Sequence, residues 1–194
     1  MTRIIAGSER GRRLAVPAHG TRPTTDRVRE SMFSTLTSIL LGAGLSWADL
    51  QVLDLYAGSG ALGLEAASRG AERVILVEKT HTCAEVIRAN IAAVGLDGVA
   101  LVQTTVEALS QRSASHAHEL VFADPPYDVT VERLAKNLAA LVEAGWIAKD
   151  ACVVVERPAH DRQPPFPQSW YEFDQRRYGD TVLWYGRPTA TSGE

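Results

Sequence analysis

Four consecutive residues, Asp124-Pro125-Pro126-Tyr127, combine a carboxylate, two prolines and an aromatic ring directly after the apolar run 120–123. The run predicts a buried parallel strand, and open α/β sheets place their sites at the carboxyl ends of such strands. Each proline lacks a backbone N–H and has a fixed φ, so this turn offers hydrogen-bond acceptors and few donors. Such a turn suits a planar amino group, whose two N–H bonds need acceptors. Tyr127 offers a ring face on which a nucleobase can stack.

A second candidate site is the glycine-rich segment 53–63, whose pattern indicates a strand end, a tight turn and a helix start. Gly58, Gly60 and Gly63 spell G-x-G-x-x-G, the fingerprint of dinucleotide-binding folds. Glu78 ends the next predicted strand, at the distance where an acidic residue binds a ribose hydroxyl. A nicotinamide-dependent dehydrogenase is therefore one interpretation of this segment.

Asp54 favours a different ligand. Its carboxylate precedes the glycines inside the strand, where it suits the ammonium group of S-adenosylmethionine and would repel a pyrophosphate. Nothing downstream indicates hydride chemistry, whereas the turn at 124–127 resembles the catalytic loop of methyltransferases that modify exocyclic amines of nucleobases. We therefore expect S-adenosylmethionine as the cofactor. We expect no metal, because His116 and His118 fall in a predicted polar loop with no ligand set around them.

The charge of the chain is unevenly distributed. The 194 residues carry a net charge of −3, yet residues 1–30 hold seven arginines against three acidic residues, a net of +4. This charge distribution alone is also explained by a basic arm that faces solvent and has no partner. Arginine, however, suits phosphate contacts and stacking on bases. Beside a nucleobase pocket, RNA is the expected partner. The arginines expected to contact it are Arg3, Arg10, Arg12, Arg13 and Arg22.

Bulk composition places the chain among soluble proteins. Hydrophobic residues make up 45% and charged residues 22%, and no apolar run is long enough to cross a bilayer. The N-terminus lacks the apolar core of a signal peptide. Two isolated cysteines, Cys83 and Cys152, are typical of a reduced cytoplasmic setting. We expect a cytoplasmic protein with no membrane partner.

Alternating strand and helix patterns position the candidate residues. Strands are expected near 51–56, 73–78, 99–103, 119–123 and 151–155, and helices near 61–69, 81–94, 105–111 and 130–144. This alternation predicts an α/β fold with a doubly wound, mostly parallel sheet. Tyr178-Gly179-Asp180 should join two final strands into an antiparallel hairpin, which makes seven strands. An N-terminal hairpin is expected within 3–16, and Thr24 or Thr25 should cap a following helix that buries Val28, Met32, Leu36, Ile39 and Leu40.

Over nearly its whole length the chain resembles the bacterial methyltransferases of 16S ribosomal RNA that methylate the exocyclic amine of one guanine (the RsmD type). The stretches that carry the likeness are RIIAGSERGRRL at 3–14, RPTTDRVRESMF at 22–33, LDLYAGSGALGLEAASRGA at 53–71, VEK at 77–79 and FADPPY at 122–127. The glycine turn and D-P-P-Y occur in many methyltransferases. R-P-T-x-D-R-V-R-E and E-A-x-S-R-G-A are much more particular to this family.

The resemblance implies a Rossmann-like methyltransferase fold that modifies ribosomal RNA in an assembled or partly assembled small subunit. It places the catalytic loop at 124–127 and the ribose ligand at Glu78. The remaining cofactor contacts that it implies are Asp54, Tyr56, Gly58, Ser59, Gly60 and Thr105. Thr105 stands where relatives often carry Asp or Asn near the adenine.

The expected organisation is a basic arm at 1–21, a methyltransferase domain at 22–187 and a flexible tail at 188–194, acting as a monomer. Two further alternatives remain. A DNA methyltransferase acting on adenine or cytosine amines is disfavoured because no residues are left for a target-recognition domain. A non-catalytic RNA-binding protein with a vestigial pocket is disfavoured by the intact carboxylates Asp54, Glu78 and Asp124.

Overall fold

The structure, a computed structural model, describes residues 2–17 and 25–188. The chain forms two compact units, the first ending at Gln103 and the second beginning at Thr104. Arg22, Thr24 and all of the expected tail except Pro188 lie outside the described residues. The domain boundaries expected from the sequence stay predictions.

The first unit begins with the expected hairpin, which is short. β1 (Thr2–Arg3) and β2 (Arg13–Leu14) are antiparallel, with Thr2 opposite Leu14. The Ile4 N–H donates to the Arg12 carbonyl at 2.9 Å, which continues the pairing. Ile4 and Leu14 are 1% and 2% exposed, so the hairpin contributes two side chains to the core of this unit.

α1 (Asp26–Gly42) follows the hairpin, and the Thr25 hydroxyl accepts a hydrogen bond from the Val28 N–H at 3.4 Å, as one of the two expected caps. Val28, Met32 and Leu36 are buried as expected. Ile39 and Leu40 are only half-buried, so the expectation that these two side chains are also buried was wrong. The last turns of α1 extend beyond the core, where solvent replaces a packing partner.

In the described part of the first unit, three parallel strands follow α1. They are β3 (Gln51–Leu55), β4 (Arg73–Glu78) and β5 (Val99–Gln103), in the order β5-β4-β3. α2 (Ala61–Ser68) and α3 (His81–Val94) connect them. Leu55 lies opposite Val77, so β3 and β4 end side by side. The glycine turn that follows β3 is thereby placed beside Glu78.

The second unit contributes four strands and two helices within residues 104–188. The elements are α4 (Val106–Leu109), β6 (His118–Ala123), α5 (Val131–Glu143), β7 (Ile147–Pro158), β8 (Tyr171–Tyr178) and β9 (Thr181–Arg187). The order is β6-β7-β9-β8, with β6 and β7 parallel and the other pairs antiparallel. Tyr178 pairs with Thr181 around Gly179-Asp180, which confirms the C-terminal hairpin.

Two local expectations about the second unit were wrong. β7 begins at Ile147 rather than near 151, because Ile147 pairs with His118 before a register shift. His118 is therefore the first residue of β6 and is buried, not part of a polar loop. Its Nδ1 lies 2.8 Å from the Trp146 carbonyl oxygen, and its ring stacks on Trp146 with 6.0 Å between centroids. A distant aromatic partner decided this placement, which no local pattern indicates.

The expected fold class is confirmed. The strands β3 to β9 belong to one seven-stranded, mostly parallel sheet that ends in an antiparallel hairpin, and β1 and β2 form the small N-terminal hairpin. Among the described residues, no helix combines the length and apolarity needed to cross a membrane.

α2 packs unusually close to the strands of the first unit at Gly63. A Cβ built at this position would lie 2.3 Å from Leu76 Cδ2 and 2.8 Å from Val74 Cγ1. Real side-chain carbons do not approach so closely, so any larger residue would force Leu76 and Val74, or α2 itself, to shift. The third glycine of the fingerprint thus serves helix–strand packing.

Replacing Gly63 with alanine is expected to lower the free energy of unfolding by about 1–3 kcal/mol, because the new methyl group overpacks the contact with Leu76 and Val74. Gly42→Ala is the matched control, since a Cβ at Gly42 has nothing within 4 Å. Urea denaturation of both variants measures the difference. Equal midpoints for the two variants would contradict the packing role of Gly63.

Candidate active site

The glycine turn between β3 and α2 has a backbone that few residues adopt. Tyr56, Gly58 and Gly60 have φ values of 60°, 59° and 78°. Glycine adopts this region without strain, whereas a residue with a side chain costs about 1–2 kcal/mol there. Gly60 is the N-cap of α2, and its N–H donates to the Ala57 carbonyl at 2.7 Å. Tyr56 is the only described non-glycine residue with positive φ, so backbone strain is concentrated at the predicted cofactor turn.

Glu78 holds this turn in place. Its Oε2 accepts a hydrogen bond from the Gly58 N–H at 3.0 Å, and its Oε1 accepts one from the Thr80 N–H at 2.7 Å. The side chain is 8% exposed. Each carboxylate oxygen has two lone-pair directions, so both oxygens can accept a further hydrogen bond from a ligand hydroxyl. Glu78 therefore fixes the turn and keeps acceptor capacity for a ligand hydroxyl, and its contact with a ribose stays a prediction.

Asp54 lies beneath the turn. It is 2% exposed, and its Oδ2 accepts a hydrogen bond from the Gly63 N–H at 2.9 Å. Burial raises the pKa of Asp54 to about 7; the Gly63 hydrogen bond opposes this rise, and the negative charge of Glu78 adds to it. A nearby ligand cation would shift the group back toward its charged form. The carboxylate thus braces the start of α2 besides any direct role toward a ligand.

Sequence reasoning missed a buried amide that contacts the turn. Asn90 is 2% exposed, and its Nδ2 donates to the Ser59 carbonyl at 2.8 Å. The same side chain bonds both backbone groups of Ala15, with Ala15 N–H to Oδ1 at 2.8 Å and Nδ2 to the Ala15 carbonyl at 3.0 Å. One signal was present in the sequence, because Asn90 interrupts the otherwise apolar buried face of α3 at Cys83, Ile87 and Val94.

The N-terminal hairpin is anchored to α2 by two side chains that sequence reasoning also left without a role. Glu65 is fully buried and accepts hydrogen bonds from the Ile5 N–H at 2.6 Å and the Ala6 N–H at 3.0 Å. The Ser68 hydroxyl donates to the Ala6 carbonyl at 2.7 Å and accepts from the Glu9 N–H at 3.0 Å. These contacts give Glu65 and Ser68 of the E-A-x-S-R-G pattern a structural role.

The candidate RNA-binding arginines in this hairpin differ in their ionic partners. Arg12 pairs with Glu9 at 2.8 Å, and the Arg3 Nε lies 3.6 Å from an Asp26 oxygen. Arg10 and Arg13 are exposed. The structure therefore brings four of the five expected arginines onto one anchored hairpin, and the fifth, Arg22, is outside the described residues.

The Asp124-Pro125-Pro126-Tyr127 segment lies where the sequence predicts it, directly after β6. The Val129 N–H donates to the Pro126 carbonyl at 3.0 Å and closes the turn. Asp124 is half-buried and Pro125 is buried, whereas Tyr127 is 75% exposed. The face of this ring is therefore open to a planar ligand, and aromatic rings stack on one another in offset arrangements. The turn can supply a partly desolvated carboxylate next to an accessible ring.

Thr105 serves as the N-cap of α4. Its Oγ1 accepts a hydrogen bond from the Ala108 N–H at 3.0 Å. Asp, Asn and Thr are all favourable N-cap residues, so threonine can cap the helix at the position where relatives often carry Asp or Asn. Contact with an adenine stays a prediction for this residue.

The described residues contain no cluster of three or more His, Cys, Asp or Glu side chains that could hold a metal ion. Both cysteines are free thiols. Burial raises the pKa of Cys83 and raises that of Cys152 to about 12, so neither sulfur has the thiolate character of a nucleophile.

Comparison with known proteins places this fold and turn in one family. The family model described as "Conserved hypothetical protein 95" matches residues 2–187. "Ribosomal RNA small subunit methyltransferase D" of Escherichia coli is 37% identical over 170 residues, covering 87% of this chain and 80% of the relative. "Putative rRNA methyltransferase YlbH" of Bacillus subtilis is 34% identical over 174 residues, covering 86% of each chain.

Solved structures agree with the sequence relatives. "Putative methyltransferase yhhF" from Escherichia coli has a TM-score of 0.82 and 32% identity, and the match covers 97% of this chain and 98% of that one. The protein thus has a Rossmann-like methyltransferase fold. The chain belongs to the RsmD family, which confirms the resemblance found in the sequence.

The stability of the protein should depend on pH through Asp54. Because the folded pKa is near 7 and the ordinary value is 3.8, the folded state binds the extra proton between these values. The free energy of unfolding should therefore fall by about 1–3 kcal/mol as pH rises from 5 to 8. Asp54→Asn keeps an acceptor for the Gly63 N–H and removes the charge, so this decline should disappear from urea denaturation at the same pH values. Parallel pH profiles of the two proteins would contradict the assignment to Asp54.

Proposed function

We propose that this protein transfers the methyl group of S-adenosylmethionine to the exocyclic amine (N2) of a guanine in 16S ribosomal RNA of the small subunit. The Asp124–Tyr127 turn carries the proposal, because it joins a half-buried carboxylate to a 75% exposed ring. Family membership supports ribosomal RNA as the substrate, since relatives at 37% and 32% identity carry the name of a small-subunit ribosomal RNA methyltransferase.

The first unit has the residues that would hold the methyl donor. Glu78 would accept hydrogen bonds from the ribose hydroxyls, and the turn at Gly58, Ser59 and Gly60 would enclose the methionine part, beside Tyr56. The negative charge of Asp54 would favour the ammonium group from beneath the turn. Thr105, in the second unit, would lie near the adenine. The donor itself supplies a methyl group bound to a positively charged sulfur.

The second unit has the residues that would hold the guanine. The amine of guanine is a poor nucleophile because its lone pair is delocalised into the ring. Acceptance of its two N–H bonds by the Asp124 carboxylate and the Pro125 carbonyl would turn the lone pair toward the methyl group. Positive charge develops on the nitrogen during transfer, so a fixed carboxylate stabilises the transition state more than the ground state. The amine proton then leaves to Asp124 or to water.

Tyr127 and the arginines would position the RNA. A base stacked on the Tyr127 ring contributes about 1–3 kcal/mol of binding, and the guanine must leave its own stack to reach the turn. Exposed arginines of the anchored hairpin would contact phosphates. Pro126 would shape the turn, since its carbonyl already accepts the Val129 N–H.

The Asp124→Asn variant should lose methyl transfer by a factor of about 100 or more, because the charge that stabilises the developing cation is gone. Labelled S-adenosylmethionine and small subunits that lack the modification measure turnover, and calorimetry with S-adenosylhomocysteine should show unchanged donor affinity. Asp128→Asn is the matched control, since Asp128 is an exposed carboxylate four residues away. Normal turnover in Asp124→Asn would refute the mechanism. Parallel reactions with free RNA and with DNA, followed by mapping of the labelled base, test the substrate.

Point changes in the hairpin should separate RNA binding from donor binding. Deletion of the hairpin is a poor test, because it would also remove Ile4 and Leu14 from the core. Arg10→Gln and Arg13→Gln should each weaken RNA binding and lower the slope of log affinity against log salt by about 1. Arg12→Gln should have a smaller effect, because Glu9 already compensates that charge. Arg162→Gln, at an exposed site in the second unit, serves as a control. Unchanged salt slopes in Arg10→Gln and Arg13→Gln would rule out these contacts.

A further inference from the structure

A single buried side chain connects the N-terminal hairpin to the glycine turn. Asn90 bonds the N–H and the carbonyl of Ala15, the residue after β2, and also bonds the Ser59 carbonyl between Gly58 and Gly60. Both amide hydrogens and the amide oxygen of Asn90 have partners in this arrangement. The Asn90 side chain therefore holds both the hairpin and the turn. In sequence it is 31 residues from Ser59 and 75 residues from Ala15.

Nothing in α3 itself requires asparagine at this position. Asn is a weak helix former, and the buried face of α3 is otherwise made by Cys83, Ala84, Ile87 and Val94. A leucine would continue the apolar face of the helix. Only the contacts with Ala15 and Ser59 need an amide, and a buried polar group without such partners would cost about 1–3 kcal/mol. The hydrogen bonds to Ala15 and Ser59, and not the packing of α3, therefore explain why residue 90 is asparagine.

The connection has a thermodynamic consequence. A ligand that fixes the Ser59 peptide in its observed position also favours the position of Ala15, and a ligand that fixes the hairpin favours the observed turn. When two ligands favour the same arrangement of these hydrogen bonds, each raises the affinity of the protein for the other by the same factor. We infer that Asn90 is a positioning residue that couples the methyl-donor turn to the RNA-binding hairpin, so that donor and RNA each strengthen the binding of the other. This inference rests on the proposed function.

The other anchor of the hairpin provides a contrast. Ser68 holds Ala6 and Glu9, far along the hairpin from Ala15, and has no contact with the glycine turn among its described hydrogen bonds. Ser68→Ala should loosen the hairpin without interrupting the connection through Asn90. Asn90→Leu should interrupt the connection while leaving α3 packed. The two variants therefore separate general weakening of the hairpin from loss of coupling.

Hydrogen exchange at the Ala15 amide tests the coupling with S-adenosylhomocysteine as the probe. Saturating probe should slow this exchange by about fivefold or more in the wild-type protein and in Ser68→Ala, and should leave it unchanged in Asn90→Leu. Slowing that persists in Asn90→Leu, or no slowing in the wild type despite measured probe binding, would overturn the inference and leave the proposed function intact. Absence of probe binding to the wild type would instead refute the proposed donor.

A second measurement begins with the wild-type protein, whose result can by itself overturn the coupling. The dissociation constant of S-adenosylhomocysteine is measured by calorimetry with and without small ribosomal subunits that lack the modification. The ratio of the two values should be about five or more for the wild-type protein. In Asn90→Leu the ratio should approach one, whereas in Ser68→Ala it should stay as in the wild type even if subunit binding weakens. A wild-type ratio of one would overturn the coupling.

Discussion

The close approach of α2 to the parallel strands beneath it is the constraint on which the first unit depends. Position 63 has no room for a Cβ, and the N–H of Gly63 bonds to the buried Asp54 carboxylate. This contact fixes the start of the helix and, with it, the left-handed turn that ends at Gly60. The opposite side of the same helix carries Glu65 and Ser68, which hold the hairpin. A shift of α2 would therefore disturb the turn and the hairpin together.

Buried carboxylates are the second organising feature. Asp54, Glu65 and Glu78 are each less than 10% exposed, and each accepts hydrogen bonds from backbone N–H groups distant in sequence. Such charges are costly to bury unless the fold supplies donors in fixed positions. Once supplied, these donors make the surroundings rigid, which suits a site that must hold two reactants in one geometry. The strained backbone of Tyr56 lies in the same region.

The basic hairpin is a part of the first unit and not a loose arm. Ile4 and Leu14 enter the core, and Asn90 holds Ala15 from the side of α3. The exposed arginines are consequently presented from a backbone with defined anchors. A rigid presentation lowers the entropy lost on binding RNA, so fewer charges are needed for the same affinity. A net charge of −3 is therefore compatible with the RNA-binding surface that we propose for this hairpin.

Local patterns in the sequence determined the alternation of strands and helices, the glycine turn, the position of the Asp124–Tyr127 turn and the C-terminal hairpin, because each depends on periodicity or on residues with restricted backbones. Tertiary structure alone decided the burial of His118 against Trp146, the length of β7 and the roles of Glu65, Ser68 and Asn90. These features depend on partners that are up to 75 residues away in sequence, and a local sequence pattern carries no information about such contacts. A polar residue such as Asn90 on an apolar helix face indicates that it has a hydrogen-bond partner, but only the folded chain shows which residue that partner is.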